Sequence, residues 1–278
     1  MNGAGNEIIV VDLRGAGIAA TGQDARAIRR DPRLAFDQLM VVGDPRRADA
    51  DAFVTIFNRD GSEAGACGNG ARCVAYELMR DGAGDVLRLE TREAVIECRR
   101  RTEFVFEVDM GRPRFGWRDI PVSNPIADTR RVAIALPHGA PASLGAASLV
   151  NMGNPHAIFW VEDVEAYDLG AFGPLLETLP LFPDRANISL ARVESRSRIR
   201  LRVWERGAGL TRACGSAACA VLVAASRLDL ADRRAEISLP GGALTIEWRR
   251  LDDHVLMTGP VEPEFATTLD AALFEPAT

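Results

Sequence analysis

Short runs rich in Val, Ile and Phe recur along the chain, each cut off by Gly, Pro, Asn or Asp. Ile8–Val11, Phe53–Phe57, Phe104–Val108, Val132–Leu136, Ala157–Val161, Ile199–Val203 and Leu244–Trp248 read as strands, because such residues suit a pleated, half-buried surface. Apolar and polar residues alternate in Val86-Leu87-Arg88-Leu89-Glu90 and in Ile199-Arg200-Leu201-Arg202-Val203, the period of a strand with one buried face. Two segments break this rhythm. Ala71–Met79 places Ala71, Val74, Ala75, Leu78 and Met79 on one helical stripe. Ser216–Leu228 is apolar nearly all round from Ala217 to Ala225, which predicts a helix buried on every side.

Both helices follow a Cys-Gly dipeptide, and their surroundings repeat. Ala66-Cys67-Gly68-Asn69-Gly70-Ala71 parallels Ala213-Cys214-Gly215-Ser216-Ala217-Ala218. Asn58 ends an apolar strand 9 residues before Cys67, and Glu205 ends one 9 residues before Cys214. The Asn of Gly5-Asn6 lies 61 residues before Cys67, and that of Gly153-Asn154 lies 60 before Cys214. Four features in register predict an internal duplication. The expected fold is α+β: two pseudo-symmetric domains, each a mostly antiparallel sheet wrapped around a central helix. A pseudo-twofold relation would turn the two helix N-termini toward a shared cleft, a common place for small-molecule sites.

Composition narrows the chemistry. A chain of 278 residues, 47% apolar and 26% charged, suits one large or two ordinary globular domains. A net charge of -6 with short, scattered arginine clusters argues against a nucleic-acid partner. No apolar run approaches the ~20 residues that span a bilayer, and Met1–Gly5 carries no signal-peptide pattern, so no membrane association and a cytoplasmic location are expected. Five cysteines without secretory context argue against a disulfide framework. The sequence contains no lysine. That excludes a pyridoxal-phosphate Schiff base, a Walker A phosphate loop and a lysine general base.

Cys67 and Cys214 therefore draw attention as acid–base groups. A helix N-terminus offers unpaired N–H groups and a partial positive charge, which cradle a carboxylate and favour a thiolate. Gly68, Asn69 and Gly70, with Gly215, Ser216 and Ala217, would supply such donors. A substrate α-carbon between two sulfurs would lose its proton to one and regain one from the other, which inverts it. Cys73, Cys98 and Cys219 read as buried small hydrophobes. A zinc site from Cys67, Cys73, Cys214 and Cys219 matches usual ligand spacings poorly, so no metal is expected, and no Cys-x-x-Cys motif is present.

Phe57-Asn58-Arg59-Asp60-Gly61-Ser62-Glu63-Ala64-Gly65-Ala66-Cys67-Gly68-Asn69-Gly70-Ala71-Arg72-Cys73 resembles the first signature of the diaminopimelate epimerase family. Met152-Gly153-Asn154-Pro155-His156 resembles its middle signature, and Trp204-Glu205-Arg206-Gly207-Ala208-Gly209-Leu210-Thr211-Arg212-Ala213-Cys214-Gly215-Ser216 its second cysteine signature. Gly3-Ala4-Gly5-Asn6 and Asp37-Gln38 match more weakly. The chain departs from the family in Pro32-Arg33-Leu34-Ala35-Phe36-Asp37-Gln38, which lacks the usual glycines before Gln38.

The resemblance implies a domain of residues 1–113 and 264–278 carrying Cys67, and a second of residues 114–263 carrying Cys214. It implies interconversion of LL- and meso-diaminopimelate, serving lysine and cell-wall synthesis, with no cofactor and in a homodimer. Cys67 and Cys214 would share the roles of catalytic base and acid, the sequence not showing which sulfur is the resting thiolate, with His156 and Glu205 assisting proton movement. Substrate contacts would fall to Asn6, Gln38, Asn58, Gly68, Asn69, Asn154, Asn187, Glu205, Arg206, Gly215 and Ser216. Asn58, Asn187 and Arg206 suit a distal carboxylate. A two-cysteine racemase of another amino acid, and a non-catalytic amino-acid-binding or metal-binding protein of this fold, remain as alternatives.

Overall fold

Parallel strands need a crossover to bring the chain back to the same end, and in this protein helices supply it. The computed structural model describes residues 1–65, 67–80, 82 and 84–270. Ala66 of the first cysteine signature, Asp81, Ala83 and residues 271–278 of the expected C-terminal return lie outside the described residues. The chain forms two units, Met1–Asp109 with the chain from Thr258 onward, and Met110–Met257.

The first unit contains β1 (Ile8–Asp12), α1 (Gly22–Arg29), β2 (Gln38–Gly43), β3 (Ala52–Asn58), β4 (Glu63–Ala64), α2 (Gly68–Met79), β5 (Val86–Glu90), β6 (Val95–Thr102) and β7 (Val105–Asp109). Its strands lie in the order β1-β2-β3-β5-β6-β7, with β4 beside β3. β1–β2 and β3–β5 are parallel, and the other pairs are antiparallel. α1 links the first parallel pair and α2 the second. Strand β2 is buried on both faces. Leu39 and Val41 pack with Ala25 and Ile28 of α1. Met40, between them, meets the start of α2, where a Cβ on Gly70 would lie 2.4 Å from its sulfur.

The second unit contains β8 (Ala147–Asn151), β9 (Pro155–Trp160), α3 (Leu169–Glu177), β10 (Asn187–Ser195), β11 (Arg198–Glu205), β12 (Gly209–Thr211), α4 (Gly215–Arg227), β13 (Arg234–Leu239), β14 (Gly242–Trp248) and the beginning of β15 (Val255–Pro260). β9–β10 and β11–β13 are parallel, crossed by α3 and α4 respectively. β8–β9, β10–β11, β11–β12 and β13–β14 are antiparallel. From β9 onward, strand order and sense repeat those of the first unit from β1, helix for helix. The duplication predicted from four sequence features is thus present in the topology. Gly5 and Gly153, at φ 91° and 93°, occupy the same place before β1 and β9 and set the left-handed turn that delivers Asn6 and Asn154.

Helix α4 is buried from Ala217 to Ala225, as its unbroken apolar sequence predicts. It packs against β8, β9, β10, β11, β13 and β14, and α2 packs against β1, β2, β5, β6 and β7. Each unit therefore wraps a mixed, largely antiparallel sheet around one helix. No helix among the described residues is long and apolar enough to cross a membrane.

Three expectations differ from the structure. Helix α2 starts three residues earlier than the apolar stripe, at Gly68, because glycines hide a first turn that Cys67 caps. α1 and α3 were not expected. α1 buries only Asp24, Ala25 and Ile28, and its strongest local signal is the Thr21–Asp24 capping box. α3 contains Gly170, Gly173 and Pro174, poor helix formers, yet Leu169, Phe172 and Leu176 make its buried stripe. Val132–Leu136 is not a strand. Val132 makes an isolated bridge to Ala147, and Val132, Ile134 and Leu136 pack into the second unit's core without a ladder.

Candidate functional site

The site residues of each unit are built on equivalent elements. In the first unit Cys67 is the N-cap of α2, in extended conformation at φ -147°, ψ 104°. Its sulfur accepts the Gly70 N–H at 3.2 Å. A donor at a helix N-terminus favours the thiolate form. Gly68 and Asn69 form the first turn of the helix. Asn69 is buried, and its Oδ1 has no hydrogen-bond partner among the described residues.

Gln38 opens β2 directly opposite Asn58, the last residue of β3. Gln38 Nε2 donates to Asn58 Oδ1 at 3.1 Å, and Asn58 Nδ2 donates to Ser62 Oγ at 3.1 Å. The segment before Gln38, atypical in sequence, is a short helical turn at Pro32–Leu34 capped by Asp31, whose carboxylate accepts the Arg33 N–H at 3.0 Å. Asp37 then donates its N–H to Glu7 O at 2.8 Å, which aligns β2 with β1. The Asp37 carboxylate is paired with Arg59, the residue after Asn58. Asn6 is half-buried just before β1, and its backbone carbonyl accepts the Gly3 N–H at 2.9 Å.

In the second unit Cys214 is the N-cap of α4, with no capping bond from its side chain. It is 4% exposed, and its sulfur lies 3.5 Å from Ser216 Oγ. Burial pushes its thiol well above the usual range. The Glu205 carboxylate adds to this by charge and by accepting a hydrogen bond from the thiol, while the Ser216 hydroxyl and the Ala217 N–H act in the opposite direction without reversing it. Thr211 Oγ1 donates to Glu205 Oε1 at 2.5 Å, which fixes the carboxylate from the neighbouring β12.

His156 lies in β9 and is fully buried. Its Nε2 is 2.7 Å from Asn154 Oδ1, so the hydrogen resides on Nε2. Nδ1 has no partner among the described residues. Burial, and then the charge of Arg206, push the imidazole down to about 3, so it is neutral at physiological pH. Asn187 sits beside His156 in the β9–β10 ladder and is buried. Its Nδ2 donates to Pro155 O at 3.1 Å, and its Oδ1 accepts the Arg206 N–H at 2.9 Å. Asn187 therefore holds backbone on both sides. The Arg206 guanidinium donates to Asp184 O at 3.1 Å and has no carboxylate partner among the described residues.

The structure thus joins Gln38 with Asn58, Cys67 with the first turn of α2, His156 with Asn154, Asn187 with Arg206, and Glu205 with Cys214. Two neighbours escaped the sequence reading. Thr211 lies inside the second cysteine signature, but its contact with Glu205 depends on the β11–β12 register. Glu177 left one signal, a carboxylate beside Leu176 on an apolar helix face. Cys73 and Cys98 are buried with thiols pushed up to about 12 by desolvation, which makes them inert packing groups. Among the described residues no group of three His, Cys, Asp or Glu could hold a metal ion.

A family model described as diaminopimelate epimerase matches residues 1–116 and 148–263. The chain is 60% identical over 277 residues to a diaminopimelate epimerase of Methylocella silvestris, covering 100% of this chain and 96% of that one. It is 55% identical over 276 residues to a diaminopimelate epimerase of Nitrobacter hamburgensis, covering 99% and 95%. Among solved structures, a predicted epimerase from Pseudomonas aeruginosa shares the fold at a TM-score of 0.65 and 21% identity, over 93% of both chains. A probable proline racemase from Agrobacterium radiobacter does so at 0.62 and 16% identity, over 90% of this chain and 82% of that one. The matched stretches contain both cysteine signatures and the Asn154–His156 segment, and the chain belongs to the diaminopimelate epimerase family.

Proposed function

We propose that the protein interconverts LL- and meso-diaminopimelate by a two-base proton exchange in which Cys67 and Cys214 serve one α-carbon. One observation carries this reading. The two cysteines occupy the same N-cap position of equivalent helices and each faces the backbone N–H of the residue three places on, yet Cys214 is also buried against a carboxylate. The Cys67 sulfur accepts an amide N–H, which suits a thiolate. The Cys214 thiol is buried against a carboxylate, which keeps its proton. A resting pair of one base and one acid is what inversion at carbon requires.

In the forward direction the Cys67 thiolate takes the α-proton, and the Cys214 thiol delivers one to the opposite face of the carbon. The Cys214 thiolate formed beside Glu205 is a stronger base than an isolated thiolate, which suits it for the return reaction. Backbone N–H groups at the starts of α2 and α4 bind the α-carboxylate and take up charge as the carbanion develops. Neutral His156 contributes a fixed hydrogen bond to Asn154, and Asn187 sets the backbone of Arg206. Arg206, without a carboxylate of its own, takes the distal carboxylate of the substrate. That charge-reading contact favours a diamino diacid over a simple amino acid. This chemistry needs no cofactor and serves lysine and cell-wall precursor synthesis; a cytoplasmic homodimer belongs to the same reading, on the family resemblance alone.

The test is incubation of the purified protein with LL-diaminopimelate in heavy water under reducing conditions, with no added cofactor. Deuterium is expected at the α-carbon together with conversion to the meso isomer. Absence of exchange overturns the reading.

A further inference from the structure

Strand β11 ends at Glu205, and the turn after it carries Arg206. Glu177, the last residue of α3, is buried against this turn. Its Oε2 accepts the Trp204 indole N–H at 2.6 Å. Its Oε1 accepts the Gly207 backbone N–H at 3.0 Å and the Arg185 guanidinium at 3.4 Å. The residues on either side of the Glu205–Arg206 pair are therefore tied to one carboxylate. Asn187 ties the middle of the same segment through the Arg206 N–H. The helix approaches this closely because residue 173 is glycine, where a Cβ would lie 2.7 Å from the Trp204 ring.

The equivalent turn of the first unit is held differently. There Arg26 of α1 donates to Asp60 O at 3.2 Å in an exposed position, and no buried carboxylate takes part among the described residues. The Glu177 anchor belongs to the half that carries the acidic partner of a cysteine.

We infer that Glu177 is a positioning residue for the reaction, setting the places of the Glu205 carboxylate and the Arg206 guanidinium through Trp204 and Gly207. The inference rests on the reading of Glu205 and Arg206 as site residues given above. A carboxylate is required here, and an amide does not replace it. Each oxygen receives an N–H whose direction is fixed, one by a packed ring and one by the main chain. Glutamine offers a single oxygen, so its NH2 group would oppose either the indole N–H or the Gly207 N–H. Displacement of this segment by a fraction of an ångström moves both Glu205 and Arg206, and catalytic geometry is sensitive on that scale.

The decisive variant is Glu177→Gln in the full-length protein. The folded variant is expected to show kcat/KM for diaminopimelate lower by about tenfold or more, with KM raised. The Cys214 thiol is expected to ionise at lower pH than in the parent protein, because Glu205 no longer sits as closely beside it. Titration of Cys214 by alkylation rate and mass spectrometry reads this shift without any turnover. The indole and Gly207 N–H resonances in a nitrogen-15 spectrum should move together. Trp204→Phe removes one donor while keeping a ring over Gly173, and should give a smaller change in the same direction; it decides the matter where Glu177→Gln does not fold. Kinetics and Cys214 ionisation both within about twofold of the parent in a folded Glu177→Gln protein overturn the inference. A loss of activity that follows the melting temperature alone, with Cys214 ionisation unmoved, also overturns it. A parent protein without activity on diaminopimelate sinks the functional reading instead, and the thiol titration still reports on Glu177.

Discussion

Asp37 is paired with Arg59, while Ala186 stands at the corresponding place before β10 and leaves Arg206 without a carboxylate partner among the described residues. The duplication puts an arginine after both strand ends, at Arg59 after Asn58 and at Arg206 after Glu205. In one half the charge is neutralised within the protein, and in the other, on the proposed reading, it is left for the substrate.

Arg206→Gln is therefore expected to raise KM for diaminopimelate by at least about tenfold, the worth of a charge-assisted hydrogen bond. Arg59→Gln removes an exposed pair and should change KM by less than about twofold. Steady-state kinetics on both variants checks this. Equal effects would remove the distal carboxylate from Arg206.

The two sulfurs should separate by reactivity. Iodoacetamide at neutral pH is expected to modify Cys67 first, because the residue is only half-buried and its sulfur accepts an amide N–H at a helix start. Cys214 holds its proton through burial and the neighbouring Glu205, and should react only at higher pH. Glu205→Gln removes the negative charge and should bring Cys214 alkylation to lower pH. Peptide mapping by mass spectrometry follows each site. Modification of Cys214 ahead of Cys67 at pH 7 would contradict the assignment of resting states.

Much of this arrangement was legible in the sequence because it is local or repeated. The helix of Cys214 is written in an unbroken apolar run, and the Cys-Gly dipeptides mark both helix starts. The strand ends at Asn58 and Glu205 were read from apolar runs that stop at polar residues. What escaped depends on register or on distant packing. Thr211 reaches Glu205 only because β12 folds back on β11. α3 was hidden by two glycines and a proline, and one of those glycines admits the Trp204 ring. The unlike partners of the two cysteines, Asn58 and Glu205, were legible at matched places, but which sulfur keeps its proton was not, since near-identical motifs flank both. Burial and the neighbouring carboxylate, not the motif, separate them.

Gly70 offers a test of packing at the helix start. A Cβ there would lie 2.4 Å from the sulfur and 2.7 Å from the terminal methyl of buried Met40. Gly70→Ala is expected to lower stability by about 1–3 kcal/mol through overpacking, more than its gain in helix propensity returns. Because the Gly70 N–H points at the Cys67 sulfur, the same change should slow Cys67 alkylation. Combining it with Met40→Ala should relieve part of the strain, so a double-mutant cycle by urea denaturation is expected to show favourable coupling. Additive losses would mean that the contact with Met40 does not limit this position.

His156 should make stability depend on pH in a definite direction. The imidazole is pushed down to about 3 in the folded protein, chiefly by burial. In the unfolded chain it titrates near its usual value of about 6.5. The unfolded state therefore binds the extra proton first, and the contribution is fully present above about pH 6.5 and is lost as pH falls toward 3. At pH 5 the loss relative to pH 7.5 amounts to about 2 kcal/mol from this one group. His156→Gln keeps a donor for Asn154 but does not titrate. The difference in unfolding free energy between the parent and His156→Gln should therefore shrink or reverse on going from pH 7.5 to pH 5. Parallel pH dependences in the two proteins would show that the imidazole is protonated in the folded state. In that case His156 would be available as an acid, and the fixed, neutral role assigned to it would fall.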